Sequence, residues 1–372
     1  MPRKPTPAGA LTPVPKLLNR EIAILEFNRR VLAQAQRTDV PLLERLRYVT
    51  IVASNLDEFF EVRFADYLDA MRAGRGIGSQ AEAARVWDAA HALIDEQYRI
   101  FNDELTPALE RAGIVVLSHA ERSGAQRRWV KAFFDQQVRP LLVPVGLDPS
   151  HPFPQVANKS LNFICRLGGR DVFGRENLIA IVKVPRALPR VIRLPEALCP
   201  GRQAFVLLTS VIRSHLSELF AGRTVESFSQ FRVTRDSELD VDAEEVANLR
   251  QALRSELSTR HYGQAIRLEV VRSCPDDLAD FLLLQFGLPR AALYSADGPV
   301  NLGRLDQLVD EAEGAQLRFE PFEPAWPAAR LPAGTRVLDA LQDGDLLLHH
   351  PFESFEPVLQ FLREAVEDPD VL

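Results

Sequence analysis

At 372 residues the chain is long enough for two or three domains and for burying most of its apolar surface. Its 46% hydrophobic and 26% charged content is that of an ordinary globular protein. No apolar run approaches the ~20 residues of a membrane-crossing helix, and a net charge of −7 excludes a nucleic-acid footprint spread over the whole surface.

The start, "MPRKPTPAGALTPVPK", is basic and proline-rich without an apolar core. It reads as a disordered tail (1–18) and not as a secretory signal. From Arg20 to about Arg111 the rhythm is helical. "REIAILEFNRRVLAQAQ" sets Ile22, Leu25, Val31, Leu32 and Ala35 near one stripe. Pro41 opens a second helix, continued by Leu42, Leu43, Leu46, Val49 and Ile51 toward "SNLDEFF". Gly74, Gly76 and Gly78 mark a loop. A third helix carries Val86, Trp87, Ala90, Leu93, Ile94, Tyr98, Phe101 and Leu105 at spacings of three and four. "AQRRWVKAFFDQQVRPLLVPV" is a fourth, ended near Pro140. This part is expected to be an all-α antiparallel bundle, and the domain boundary is set at 19–122.

After Pro144 short apolar runs take over. "LNFICRL" (161–167) and "LIAIVKV" (178–184) read as paired strands, "RVIRL" (190–194) as a third and "FSQFRVTR" (228–235) as a fourth. "DAEEVANLRQALRSELSTR" is an amphipathic helix with acids in its first turn. "QAIRLEVV" returns to strand, and "PDDLADFLLLQFG" is a helix opened by Pro275 and closed by Gly287. The span 123–330 is therefore expected to be an α+β domain. "FEPFEPAWPAARLPAG" reads as a linker. In 331–372 a helix is expected from about Phe355 to Glu367, with Val371 and Leu372 opening a buried strand, so that the chain stops inside a domain.

Chemistry is sparse in the motifs. "GGRDVFGREN" has G-x-x-x-x-G spacing but Arg175 and Glu176 where a phosphate loop needs Lys and Ser/Thr, so it reads as a hairpin loop. The three cysteines, Cys165, Cys199 and Cys274, are widely separated and odd in number, which fits reduced thiols in the cytoplasm. None of His91, His119, His151, His215, His261, His349 and His350 falls in a metal-ligand spacing. His349 and His350 follow a strand-like run and point to opposite faces of it, which argues against a shared metal; structural packing at a strand end is favoured over a phosphate contact. Of the 44 basic residues only five are lysine (Lys4, Lys16, Lys131, Lys159 and Lys183). Arginine suits bidentate phosphate contacts, although a GC-rich genome gives the same bias. Arg186, Arg190 and Arg193 form one polyanion-binding candidate. In "SNLDEFFEVR" (54–63), Ser54 and Asp57 match a helix-capping box and Phe59 and Phe60 suit a core, a structural reading; the Asn55 amide suits a base edge or a phosphate instead, and composition and spacing do not choose between the two.

"NREIAILEFNRRVL", "VPLLERLRYVTIVASNLDEFFEVR", "HPFPQVANKSLNF", "FRVTRDSELDVDAEE" and "DLLLHHPFESFEPVLQFLREAVEDPDVL" occur in that order. Together they resemble the N-terminal half of the long-form bacterial polyphosphate kinase family, over nearly the whole chain after residue 18. Ile24 departs from the family's tryptophan. The resemblance implies a helical N-terminal domain, a middle domain that helps form a dimer or tetramer, and the truncated start of a phospholipase D-like α/β domain. It implies reversible transfer of the terminal phosphate of ATP to polyphosphate through a phosphohistidine, with Mg²⁺, in a cytoplasmic protein or one peripheral at the inner membrane. The catalytic histidines and the magnesium site belong to the C-terminal half, so the resemblance gives this chain no catalytic residue and no metal ligand. It gives Asn55 contact with the nucleotide base. The alternative function is a non-enzymatic dimerisation or regulatory module.

Overall fold

Asn19 opens the first helix, its side-chain oxygen accepting the Ile22 amide at 2.9 Å. The computed structural model describes residues 18–72, 79–147, 153–169, 179–220, 222–237 and 263–371. The N-terminal tail, the Gly74–Gly78 loop, most of the "GGRDVFGREN" loop, the helix expected over 242–260, His151, His261 and Leu372 lie outside the described residues.

The helical region begins with α1 (Arg20–Gln34) and α2 (Leu42–Glu58), the latter entered through Pro41. A wide π turn over Phe59–Phe64 leads into α3 (Ala65–Arg72). Ser79 caps α4 (Gln80–Arg99), which passes through a second π segment, Ile100–Leu105, into α5 (Thr106–Arg111). Leu25, Leu32, Leu43, Leu46, Val49 and Leu93 are all buried in one core. The capping reading of Ser54 is corrected here. Leu43, Leu46, Val49, Val52 and Leu56 form one buried stripe running through position 54, so Ser54 lies inside α2 and not at its start.

The helical region ends in a strand that the sequence did not signal, β1 (Ile114–Val116). Ser123 and Gln126 make a reciprocal capping box on α6 (Gly124–Phe133), which winds on to Leu141. Then come β2 (Pro144–Gly146), β3 (Leu161–Gly168), β4 (Ile179–Lys183), β5 (Val191–Arg193) and β6 (Gln203–Leu207), followed by α7 (Leu208–Ser214). The long β7 (Thr224–Arg235) and β8 (Ala265–Val271) precede α8 (Asp276–Phe286), β9 (Leu293–Ala296) and α9 (Asp306–Glu311). Gly287 closes α8 at φ 64°, a left-handed cap.

Two sheets result. The larger has the order β2-β4-β3-β7-β8-β9, antiparallel except for β8 with β9. The smaller, β1-β6-β5, takes the expected "RVIRL" strand away from its predicted partners. Alternation along the strands divides the core of the larger sheet. Phe163, Cys165, Ala180 and Val182 join the core of the helices, while Ile164, Ile181, Phe231 and Leu268 meet Leu278 and Leu282 of α8. Helices therefore cover both faces.

The chain divides into two compact units between Arg318 and Phe319. The second unit includes the proline-rich stretch expected to be a linker: Trp326 donates its indole N–H to Leu331 O at 2.6 Å, and Leu331 is buried. It also contains α10 (Val337–Asp343) and α11 (Glu356–Glu367). Val371 belongs to no strand and is 45% exposed, so the expected buried strand is not found at that residue. Among the described residues, no helix is long and apolar enough to cross a membrane.

Candidate functional site

The stretch "SNLDEFFEVR" spans the end of α2 and the π turn, and Asn55, Asp57 and Glu61 each have a different task. Asn55 is half-buried and donates Nδ2 to Asn28 Oδ1 at 2.8 Å. Asn28, 2% exposed, donates in turn to Ile24 O at 3.0 Å. This chain fixes the Asn55 amide, leaving its Oδ1 without a protein partner among the described residues. Two turns of pairing follow. Asp57 accepts from Arg232 Nη1 at 2.7 Å and Nη2 at 2.6 Å, and from Arg267 Nη2 at 2.5 Å. Arg232 also donates Nε to Glu269 at 2.7 Å, and Arg267 donates Nε to Thr234 at 3.2 Å while lying 4.6 Å above the Phe60 ring. Burial by itself would raise the Asp57 pKa. The charges of Arg232 and Arg267 and their hydrogen bonds outweigh it and hold the carboxyl at about 2. Glu61 is tied to Lys159 and accepts Asn158 Nδ2 at 2.7 Å. Asp57 and Glu61 thus fasten the end of α2 and the π turn to β7, β8 and the loop before β3.

Beside this anchor lies a cavity of about 270 Å³ lined by Ser54, Asp57, Lys159, Arg232, Asn301, Gly303 and Arg304. Lys159, Asn301 and Arg304 also line an adjoining cavity of about 150 Å³, to which Arg186 and Arg190 contribute. Lys159 (φ 55°) and Asn301 (φ 70°) are the two non-glycine residues with positive φ among the described residues. Left-handed backbone at ordinary residues costs energy and gathers at ligand sites. Gly303 lets the Asn301 turn approach α2: a Cβ there would lie 3.2 Å from Asn301 Oδ1 and 3.4 Å from Ser54 Oγ.

The electrostatics are one-sided. Arg190 Nη1 is buried without a hydrogen-bond partner among the described residues. Burial, then the charges of Arg304 and Arg186, push the Arg190 pKa down to about 10, so it stays a cation at neutral pH. Arg186 donates Nη2 to Asn158 O at 2.8 Å. No carboxylate is paired with Arg186, Arg190 or Arg304 among the described residues. Three guanidiniums held together without an anion suit a polyanionic ligand. Of the polyanion-binding candidates, Arg186 and Arg190 come together here. Arg193 does not, since its Nη1 is 2.6 Å from Glu313. Lys159, Asn301 and Arg304 were not singled out for binding by the sequence. Nothing in "ANKS" marks Lys159 as left-handed, Asn301 is only of a type that tolerates that backbone, and Arg304 is more than a hundred residues from Arg190.

His349 and His350 are not on a strand and are exposed. The His349 amide donates to Glu353 Oε2 at 2.8 Å, and His350 Nδ1 lies 2.9 Å from Glu353 O. They build a turn. Among the described residues no three His, Cys, Asp or Glu side chains form a metal-binding group. Of the acids that follow Asn55 in the motif, Asp57 and Glu61 are already held by cations.

Three family profiles match the chain in order: the polyphosphate kinase N-terminal domain at residues 17–117, the middle domain at 125–308 and C-terminal domain 1 at 336–372. The polyphosphate kinase of Neisseria meningitidis serogroup A is 47% identical over 363 residues, covering 96% of this chain and 53% of the relative. That of Burkholderia multivorans is 46% identical over 362 residues, covering 96% of this chain and 52% of the relative. The chain spans about half the length of these curated relatives. The crystal structure of polyphosphate kinase from Porphyromonas gingivalis superposes with a TM-score of 0.76 at 23% identity, over 95% of this chain and 50% of that one, and shares its fold.

Proposed function

Because this chain belongs to the polyphosphate kinase family, we propose that it supplies a nucleotide- and phosphate-holding face to an enzyme that moves the terminal phosphate of ATP reversibly onto polyphosphate. The observation that carries the reading is the set of carboxylate-free guanidiniums, Arg186, Arg190 and Arg304, in cavities that continue to Ser54 and Asp57 on either side of Asn55. In this reading the free Oδ1 of Asn55 accepts from the nucleotide base, and the arginines with Lys159 hold phosphate oxygens. Phosphoryl transfer needs such positioning and charge neutralisation more than covalent help from the protein.

Magnesium and the phosphohistidine are assigned to residues that the longer relatives carry beyond the matched segment. Asp57 and Glu61 are engaged with cations, so no step is routed through a metal held by them. The reading also includes a homo-oligomer formed through the middle segment and a cytoplasmic location, either free or peripheral at the inner membrane.

Equilibrium dialysis of residues 1–372 against ATP and against tripolyphosphate tests the face. Asn55→Ala is expected to weaken ATP about tenfold and leave tripolyphosphate unchanged, while Arg190→Gln weakens both about tenfold. Wild-type chain that binds neither ligand would remove the proposal. Incubated alone with ATP and Mg²⁺, the chain is expected to make no polyphosphate and gain no phosphohistidine. Labelling of any histidine within it would overturn that assignment.

A further inference from the structure

A second and much larger cavity, about 900 Å³, has neither Ser54 nor Asp57 on its lining. That volume is in the range of drug-sized ligand sites. Four strands end at it. β1 and β6 run parallel and finish at Val116 and Leu207, and β8 and β9 run parallel and finish at Val271 and Ala296. The carboxyl ends of parallel strands are where open sheets expose loops to ligands. The buried walls are apolar, with Phe101, Leu109, Ile114 and Leu308 among them.

One side of the cavity is cationic. Arg213, exposed, lines it with its guanidinium carbon 5.5 Å from the centroid of the Phe228 ring, which also lines it. Behind the Ser210 wall lies Arg122, only 3% exposed. Its Nη2 donates to Ser210 Oγ at 2.5 Å and its Nη1 to Ser214 Oγ at 3.2 Å, while Nε has no partner among the described residues. Neither arginine is paired with a carboxylate among the described residues. A buried charge satisfied only by hydroxyls is costly, and a bound anion would offset that cost. Ser210 Oγ accepts from Arg122, and its own hydrogen has no acceptor among the described residues. His119, also on the lining, accompanies this side; burial, then Arg122, Arg127 and Arg213, lower its pKa and keep it neutral. Of the two lining carboxylates, Asp297 is matched by Arg272 at 3.1 Å, and Glu110 is exposed.

We propose that this cavity is a second small-molecule site, taking an amphipathic anion with an aromatic or branched apolar body and one sulfonate, carboxylate or phosphate group. The body lies against Leu109, Ile114 and Leu308, and the anion meets Arg213 and the Ser210 hydroxyl, with Arg122 behind.

The test is a fluorescence titration of residues 1–372 with anilinonaphthalene sulfonate and with N-phenylnaphthylamine, which has the same apolar body and no charge. The sulfonate is expected to saturate a single site and to bind more tightly than the neutral amine. Arg213→Gln should weaken the sulfonate about tenfold and leave the amine unchanged, because only the charge-assisted contact is lost. Ser227→Trp, which puts an indole into the space from β7, should abolish binding of both, with an unchanged circular dichroism spectrum as the control on folding. Sulfonate binding unaffected by Ser227→Trp would place the probe elsewhere and overturn the site. Equal weakening of both probes by Arg213→Gln would overturn the anionic requirement.

Discussion

Asp57 shows how a residue's role can depend on partners far away in the chain. Its carboxylate is 16% exposed and faces Arg232 and Arg267, each 2% exposed, at 2.6 and 2.5 Å. Removing the acid leaves two buried guanidiniums with Glu269 as their remaining carboxylate, so Asp57→Asn is expected to destabilise the first unit by about 3–5 kcal/mol in urea denaturation. The pH dependence has a definite sign. Folding lowers this carboxyl from its ordinary 3.8 to about 2. Its contribution is therefore present in full above pH ~4 and is lost as pH falls toward 2, an amount of about 2 kcal/mol. The gap between wild type and Asp57→Asn should narrow by that amount between pH 5 and pH 2. A gap independent of pH would show that Asp57 titrates at its ordinary value. The sequence could not reveal this pairing. "S-x-x-D" fits a capping box and an ordinary i, i+3 pair within a helix equally well, and Arg232 is 175 residues downstream. Asn55 was singled out only through the family resemblance, since an amide between Ser54 and Leu56 has no chemical signature of its own. Its hydrogen bond to Asn28 adds the reason it is held in one orientation.

At the level of elements, periodicity read the long helices well and the short strands poorly. α1, α2, α4 and α8 carry apolar stripes long enough to repeat, and their ends follow from Asn19, Pro41, Ser79 and Gly287. β1, β6 and β9 have three to five residues each, too few to show alternation, and β1 directly follows a helix. The π turn at Phe59–Phe64 was also hidden. Its wide winding buries Phe59, Phe60 and Phe64 together and places Phe60 beneath Arg267. Truncating Phe60 to alanine removes a fully buried ring and a cation–π contact, and a loss of about 3–5 kcal/mol is expected. Retention of wild-type stability would mean that the neighbouring rings collapse into the space. Gly287 allows a cleaner test. At φ 64° with nothing within 4 Å of a Cβ, Gly287→Ala meets no clash, so only the left-handed backbone cost remains. About 1 kcal/mol should be lost with no change in ligand binding. A cost several times larger would point to packing at this cap.

In the whole first unit, the two cavities share a wall. Leu207, Thr209, Pro299 and Leu305 line both the cation-rich cavity at Arg190 and the large apolar one. Pro299 also accepts a hydrogen bond from Tyr98 at 2.8 Å, which ties that wall to α4. A ligand that moves Pro299 or Leu305 on one side must alter the lining of the other, because packed interiors transmit displacement. Tripolyphosphate affinity should therefore change when the chain is saturated with anilinonaphthalene sulfonate. Linkage requires the sulfonate affinity to change by the same factor when tripolyphosphate is saturating. A factor of about five corresponds to roughly 1 kcal/mol of coupling and is measurable by either titration. The sign is set by whether the occupied apolar cavity pushes Leu305 and its neighbour Arg304 toward Arg190, raising repulsion among the guanidiniums, or draws them away. The shared wall predicts that Leu305→Ala, which removes the side chain facing both spaces, reduces the coupling more than it reduces either affinity. Strictly independent affinities in the wild-type chain would show that the wall is rigid and that the two sites, however close, act separately.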